Sequence, residues 1–162
     1  RIGWDWRLLA SQIYQESKFN PNVVSWAGAV GLMQMVPETG ERFGAENLYS
    51  PEESLKAGVN YLIYLDDLWS KTVSDEEERK KFVLASYNVG LGHVVDAREL
   101  TIEFDGNPLV WEDVSEYLLK KSEPEYFNHE VVTSGYCRGQ EPVNYVREIL
   151  SRYEKYRQSI SV

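Results

Sequence analysis

The residue of this chain best suited to chemistry is Glu16, in the segment DWRLLASQIYQESKFNP. Helical spacing aligns it with Trp6, Leu9 and Ile13, on the side of a helix that is predicted to be buried. A carboxylate there costs free energy unless it is paired, hydrogen-bonded or protonated through a raised pKa. A carboxyl group protonated near neutral pH is what a general acid requires. The alternative is a structural glutamate that bonds a helix end or an arginine, and spacing alone favours that alternative.

Three further segments change the balance between these interpretations. After QESKFNP come NPNVVSWAGAVGLMQMVPETGERFG, then SYNVGLGHV, then GYCRGQEPVNYVREI. In this order they resemble the signature segments of the lytic transglycosylases, which cleave bacterial peptidoglycan. The resemblance spans roughly residues 5–153, and GYCRGQE is most similar to the membrane-bound lytic murein transglycosylase F branch. In that branch the catalytic domain follows a solute-binding-like domain, which this chain does not contain.

The resemblance implies an all-α, lysozyme-like (goose-type) helical domain with a substrate groove. It also implies a single catalytic carboxyl group, Glu16, which acts first as acid and then as base. By position, the residues predicted to bind the substrate are Ser17, Ser25, Met33, Gln34, Tyr87, Asn88, Glu141 and Tyr145. Val36 departs from the family pattern, in which methionine is frequent, so the shape of the sugar subsites is not predicted. Ser86 replaces the usual alanine before the Tyr-Asn pair, and we expect that change to have little effect.

Each of these residues also has a structural interpretation. Met33 fits a buried packing residue, because methionine fills irregular gaps in a core. Ser17 can cap the end of its helix, and Asn88 with Gly90 forms a common helix stop. Glu141 fits a charge placed at a helix start, where it meets the macrodipole. Only their joint order around Glu16 favours the catalytic interpretation.

The resemblance implies a specific reaction and leaves two competitors. Glu16 would protonate the β-1,4 glycosidic oxygen between N-acetylmuramic acid and N-acetylglucosamine, then deprotonate the muramyl C6 hydroxyl as a 1,6-anhydro ring closes. A hydrolytic goose-type lysozyme or chitinase would instead need a second carboxylate that activates water. The third possibility is a non-catalytic helical domain that binds glycan or a protein partner.

Composition limits the partners and the cofactors. A formal charge of −9 argues against nucleic acid and against a polybasic lipid-binding patch. We expect no metal or organic cofactor, because His93, His129 and the single Cys137 lack metal-ligand spacing. Cys137 is predicted to be a buried small hydrophobe. The 16 tyrosines and tryptophans suit sugar rings, although most are expected in the core.

Residues 1–162 are predicted to form a single domain. The chain opens at Arg1 without a methionine, so we interpret it as one domain of a longer protein. From the resemblance we expect a monomer that acts on peptidoglycan strands in the periplasm, associated with the outer membrane in the full-length protein. A solute-binding-like domain there could regulate it.

Consecutive helices are predicted along the chain, and strand signals are nearly absent. The first helix runs from an Asp5 cap to about Lys18, with Arg7, Ser11, Gln15 and Lys18 on its polar face. Capping signals at Ser50–Glu53 and Ser74–Glu77 start two more. Only fragments such as Thr101–Phe104 could pair locally as strands. The other helices are predicted at about residues 37–44, 92–100, 111–121, 124–133 and 142–158.

Overall fold

Eight α-helices make up the regular structure of residues 2–161, the part of the chain that the computed structural model describes. They are α1 (Trp6–Ser17), α2 (Pro37–Arg42), α3 (Pro51–Ser70), α4 (Glu76–Val89), α5 (Leu91–Glu103), α6 (Trp111–Lys120), α7 (Pro124–Phe127) and α8 (Gln140–Ser159). Within residues 2–161, β-pairing is limited to isolated bridges that join Val30 to Val24 and to Met35. The predicted all-α class is therefore confirmed.

Two of the predicted helix starts are set by aspartate caps. The Asp5 carboxylate accepts a hydrogen bond from the Arg7 backbone N–H at 2.9 Å, so α1 begins where predicted. At α4 the capping residue is Asp75, which accepts from the Glu78 N–H at 2.9 Å, rather than the preceding serine. Both caps satisfy N–H groups that would otherwise lack a partner in the first turn.

The predicted capping box of α3 forms only in part. The Ser50 hydroxyl accepts a long hydrogen bond of 3.4 Å from the Glu53 N–H. The Glu53 carboxylate, however, accepts from the backbone N–H groups of Glu46 and Asn47, each at 2.8 Å. These bonds hold the pKa of Glu53 below its ordinary value. The glutamate therefore fixes the preceding loop rather than the helix start.

Two predictions of local structure are wrong. Thr101–Phe104 does not pair as a strand, because Thr101 to Glu103 form the last turn of α5. Thr101 is buried, and its hydroxyl donates to the Ala97 carbonyl at 2.7 Å, one helical turn back. The helix predicted at 124–133 ends at Phe127. Further along, the Thr133 N–H donates to the Asp96 carboxylate at 2.9 Å and not to a helical carbonyl.

The described chain separates into two compact units. The first contains the described residues up to Tyr64 and those from Glu148 onward, and the second is Leu65–Arg147. Both boundaries fall inside helices, α3 and α8.

In the first unit, the buried side of α1 differs from the predicted one. Trp6 is 52% exposed, whereas Leu8 and Ser11 are 1% and 0% exposed. The sequence predicts Ser11 on the polar face, but its hydroxyl donates to the Ile149 carbonyl at 2.7 Å. A hydroxyl that is hydrogen-bonded can be buried at little cost. Periodicity therefore predicted the burial of Ile13 correctly, but it was wrong for Trp6 and Ser11.

The C-terminal part of α8 fixes α1 through polar contacts within this unit. Arg152 donates to the Ser11 carbonyl at 3.1 Å and to the Gln15 side-chain oxygen at 3.0 Å. Its guanidinium also lies 4.5 Å from the centre of the Tyr14 ring. Near the other end of α1, Arg7 donates to the Ile160 carbonyl at 2.7 Å. These contacts hold the helix that carries Glu16.

In the second unit, α4, α5 and α6 pack against one another around an aromatic core. The Phe82 ring centre lies 4.9 Å from that of Trp69 and 5.5 Å from that of Trp111. The Trp69 indole N–H donates to the hydroxyl of Ser86 at 2.9 Å, and Ser86 is fully buried. Ser86 is thus the hydrogen-bond acceptor of a buried indole, a role that its sequence context did not predict.

We expect Ser86→Ala to destabilise the protein by about 1–3 kcal/mol, because it leaves the buried Trp69 N–H without its acceptor. Urea unfolding followed by circular dichroism measures the change. In a Trp69→Phe background the same substitution is expected to cost less, because the donor is already gone. Equal costs in both backgrounds would show that the hydrogen bond is not the cause.

A buried ion pair lies between α5 and the end of α6. The Lys121 ammonium lies 2.7 Å from the Asp96 carboxylate and 2.9 Å from the His93 Nδ1, and both charged side chains are almost fully buried. Burial raises the pKa of Asp96, but hydrogen bonds from Lys121, Thr133 and Ser134 outweigh it, so the pKa is lowered. Burial, and then the Lys121 charge, lowers the pKa of His93. The pair holds segment 133–134 against α5.

Among the helices of residues 2–161, none has the combination of length and apolar character that a membrane-spanning helix requires.

Candidate active site

Glu16 lies in the last turn of α1, and the chain changes direction immediately after it. Glu16 is partly exposed. The helix ends at Ser17, and Lys18 follows with a left-handed backbone at φ 51°. Phe19 is left-handed too, at φ 62°. Left-handed backbone is unfavourable for side chains other than glycine, and two such residues in succession mark a turn that the surrounding contacts enforce.

Ser17 joins the end of α1 to the glycine-rich loop that was predicted to bind the substrate. Its hydroxyl lies 3.2 Å from the Ile13 carbonyl and 2.9 Å from the Leu32 carbonyl. The first acceptor belongs to the same helix and the second to the loop. Ser17 is 5% exposed. Its role in the structure is therefore to bind the loop to the end of α1, one residue after Glu16.

Internal backbone hydrogen bonds hold this loop, residues 23–35, in one conformation. Val30 exchanges backbone bonds with Met35 in both directions, at 2.9 and 3.2 Å. The Gly31 N–H donates to the Val23 carbonyl at 2.9 Å. Gly31 has φ +80°, and a Cβ on it would meet the Leu48 carbonyl oxygen. Only glycine fits there, which gives the GAVGLMQ string a physical cause.

Gln34 has a structural role within the loop. Its side-chain Nε2 donates to the Val23 and Gly31 carbonyls, each at 2.9 Å. Both donors of the amide are therefore used inside the loop, and its Oε1 is the group left to meet a ligand. The backbone of Gln34 is left-handed, with φ 49°. The two carbonyl contacts stabilise that unusual conformation.

Ser25 begins a tight turn at the outer part of the loop. The Gly28 N–H donates to its carbonyl at 3.0 Å, and its own N–H donates to the Ala29 carbonyl at 2.9 Å. The Ser25 hydroxyl accepts from the Ala29 N–H at 3.0 Å. A hydroxyl that accepts one hydrogen bond still has its proton to donate. Ser25 can thus offer a donor to a ligand from a fixed position.

Met33 is a packing residue. It is 0% exposed, and it covers Gly58 of α3 so closely that a Cβ there would meet its side chain. The Met33 N–H donates to the buried Ser54 hydroxyl at 3.1 Å. This arrangement anchors the loop to α3 and agrees with the structural interpretation of Met33.

The second unit holds the other four predicted residues. Tyr87 is partly exposed and Asn88 is exposed, both in the last turn of α4. On α8, Glu141 is exposed and lies 3.9 Å from Arg138, whereas Tyr145 is 5% exposed. The segment that leads into α8 is tied to α6, because the Cys137 N–H donates to the Lys121 carbonyl at 3.2 Å.

The side chains that could bind a metal ion are Cys137, the histidines and the acidic residues. Cys137 is buried, as predicted, and burial raises the pKa of its thiol. Among residues 2–161, no group of three or more histidine, cysteine, aspartate or glutamate side chains is arranged to hold a metal ion.

Comparison with solved structures identifies the class of fold. The 70 kDa soluble lytic transglycosylase of Escherichia coli matches 98% of this chain with a TM-score of 0.68, at 23% identity and over 22% of its own length. An inactive mutant of the lytic transglycosylase Slt from Pseudomonas aeruginosa matches 98% with a TM-score of 0.65, at 22% identity. The predicted lysozyme-like helical fold is confirmed.

The sequence identifies the family within that class. Residues 1–110 match the family described as Transglycosylase SLT domain, so the chain belongs to that family. The membrane-bound lytic murein transglycosylase F of Aeromonas hydrophila is 40% identical over 150 residues, which are 93% of this chain and 30% of that protein. Its counterpart from Desulfosudis oleivorans is 38% identical over 162 residues, or 35% of its length. The resemblance drawn from the motifs is confirmed, and the chain spans about a third of these relatives.

Proposed function

We propose that this chain is the catalytic domain of a lytic transglycosylase that cleaves the glycan strands of peptidoglycan. The observation that carries the proposal is the hydrogen bond from Ser17 to the Leu32 carbonyl, at 2.9 Å. It joins the helix end that carries Glu16 to the loop that carries Ser25 and Gln34. The names of the curated relatives support the same activity and substrate.

The proposed reaction uses Glu16 for two proton transfers. The Glu16 carboxyl gives its proton to the glycosidic oxygen as the bond between that oxygen and C1 of N-acetylmuramic acid breaks. The carboxylate then takes the proton of the muramyl C6 hydroxyl, whose oxygen bonds to C1 and closes the 1,6-anhydro ring. The proton count balances, and no water is consumed. A tethered hydroxyl competes well with water, because effective molarities reach about 10⁵ M or more when the geometry is right.

The loop would present polar groups to the sugar next to Glu16. Ser25 offers its hydroxyl proton and Gln34 its amide oxygen, a pair that suits an acetamido group or a ring hydroxyl. We propose that Ser17 and Met33, which are buried, support substrate binding by holding the loop in place. Tyr87, Asn88, Glu141 and Tyr145 are proposed as further substrate-binding residues of the same reaction.

The proposed partners and location follow the relatives. We propose that the protein acts on peptidoglycan as a monomer in the periplasm, with no nucleic acid partner and without a metal or organic cofactor. The matched relatives are about three times as long as this chain. We propose that additional domains of a longer protein attach it to the outer membrane and regulate its activity.

The product of digestion tests the proposal. Purified peptidoglycan treated with the protein is expected to yield fragments that end in 1,6-anhydromuramic acid. Such ends are lighter than reducing ends by the mass of one water, so mass spectrometry separates them. A digest with only reducing muramic acid would assign the protein to the hydrolytic lysozymes. A digest with no new ends, under conditions in which the glycan still binds, would indicate a glycan-binding domain without catalysis.

A further inference from the structure

The side chain of Trp26 is the most exposed large hydrophobic group among the residues that the structure describes. Trp26 is fully exposed, at 101%, whereas Trp69 and Trp111 are 4% and 8% exposed. An indole that touches nothing contributes no packing to the fold and presents both ring faces to water. The fold therefore gives no reason for tryptophan at this position.

Trp26 lies on a turn whose hydrogen bonds do not involve the Trp26 side chain. The turn closes through the Gly28 N–H and the Ser25 carbonyl at 3.0 Å, and the Ser25 hydroxyl accepts from the Ala29 N–H at 3.0 Å. Gly28 has φ +84° and supplies the left-handed residue. The indole is therefore held on a fixed backbone immediately after Ser25.

The neutral sequence on both sides of Trp26 favours a sugar as the ligand of this indole. From Phe19 to Glu41 the chain has no lysine or arginine, and its only charges are Glu38 and Glu41. A surface that inserts into anionic lipid uses cationic residues, and this segment has none. A pyranose ring has an apolar face that covers an aromatic ring and a rim of hydroxyls that needs neutral hydrogen-bonding groups. Ser25, the adjacent residue, supplies such a group.

We propose that the Trp26 indole is a stacking platform for a pyranose ring of the glycan substrate, and that it acts together with the Ser25 hydroxyl. This inference rests on the proposed function, since it assigns a sugar contact to the loop beside Glu16. The platform contributes to binding and to substrate choice, and it takes no part in proton transfer.

Binding of a tetramer of N-acetylglucosamine to the Glu16→Gln protein tests the contact in the absence of turnover. Trp26→Ala in that background is expected to weaken binding by about 3- to 10-fold, in the range of a single aromatic contact. Trp26→Phe keeps a ring face and is expected to lose less. The matched control is Trp6→Ala, which removes a half-exposed indole from the start of α1, about 15 Å along the helix from Glu16. It is expected to leave the affinity unchanged.

Intrinsic fluorescence supplies a second readout, because stacking shields an exposed indole from water. The tetramer is expected to shift the tryptophan emission to shorter wavelength, and Trp26→Phe is expected to abolish that shift. In cleavage assays on soluble glycan chains, Trp26→Ala is expected to raise KM with little change in kcat. Equal losses of affinity in the Trp26 and Trp6 variants would overturn the proposal.

The results separate this inference from the proposed function. If the protein cleaves the glycan and Trp26→Ala changes neither KM nor the affinity for the tetramer, the stacking role of Trp26 is wrong. The assignment of the protein as an enzyme is then unaffected. If the protein releases no new ends but binds the tetramer through Trp26, the enzyme assignment fails and the platform stands. Binding to phosphatidylglycerol vesicles that depends on Trp26, with unchanged affinity for the tetramer, would overturn the platform in favour of a lipid contact.

Discussion

Replacing Glu16 by glutamine is expected to reduce the rate of glycan cleavage by about 10²–10⁴-fold, because the amide can neither give nor take the proton that the proposed reaction needs. The loss can exceed this range, since one group serves both steps. Glutamine has the same length and shape, so the fold should persist. Release of muropeptides from purified peptidoglycan measures the rate, and circular dichroism reports the fold.

A matched control separates catalysis from a general effect of charge. Glu148 accepts a hydrogen bond from the side chain of Gln15 at 2.8 Å. Gln15 precedes Glu16 directly on α1. Glu148→Gln removes one negative charge close to α1 and leaves the proposed acid intact. It is expected to retain nearly the full rate. If the folded Glu16→Gln protein turned over as fast as this control, the assignment of Glu16 would be wrong.

Asp96→Ala is expected to cost about 3–5 kcal/mol of unfolding free energy, because it leaves the Lys121 ammonium buried without its carboxylate. Lys121→Met is expected to cost less. In that variant the Asp96 carboxylate keeps the Thr133 N–H, the Thr133 hydroxyl and the Ser134 N–H, at 2.8 to 3.1 Å. Urea unfolding of the two single variants and the double variant measures the difference.

The neighbouring surface pair provides the control for this prediction. Lys120 and Glu116 lie 2.8 Å apart, and Glu116 is more than half exposed. Glu116→Ala is expected to change stability by no more than about 1 kcal/mol, because water already screens the pair. If Asp96→Ala proved as mild as Glu116→Ala, the buried pair would contribute no more than a surface one.

The helix starts that the sequence predicts well are those with a capping side chain. Asp5 and Asp75 accept hydrogen bonds at the starts of α1 and α4, as their side chains suggest. The close approach of the Leu48 carbonyl explains the glycine at position 31 of the loop. Signals of this kind depend on a few residues along the chain, so a single sequence reveals them.

The errors come from contacts between distant parts of the chain. Ser11 was placed on the polar face of α1, and its acceptor lies 138 residues away on α8. The helix predicted to reach Thr133 ends at Phe127, and Thr133 bonds Asp96, which lies 37 residues earlier in the chain. Ser86 was expected to matter little, and it is the acceptor for Trp69. None of these partners can be identified from helical periodicity or from capping motifs.

The roles of individual site residues were predicted only in part. Met33 is fully buried and is therefore a packing residue, in agreement with its structural interpretation. Gln34 is predicted to bind the substrate, and the structure shows that both donors of its amide bond carbonyl groups of the loop. The sequence around Trp26 carries no signal of its exposure, since nothing local distinguishes an exposed tryptophan from a buried one.

The bond between Arg7 and the Ile160 carbonyl, at 2.7 Å, brings residues near the two ends of the described chain into contact. Tyr153 adds a second link, since its hydroxyl donates to the Asp5 carboxylate at 3.2 Å. A short flexible linker could therefore join the two ends, and new ends could be opened in an exposed turn such as the one at Asp105. A circularly permuted protein of this kind is expected to fold, with the order of its helices changed and their neighbours preserved.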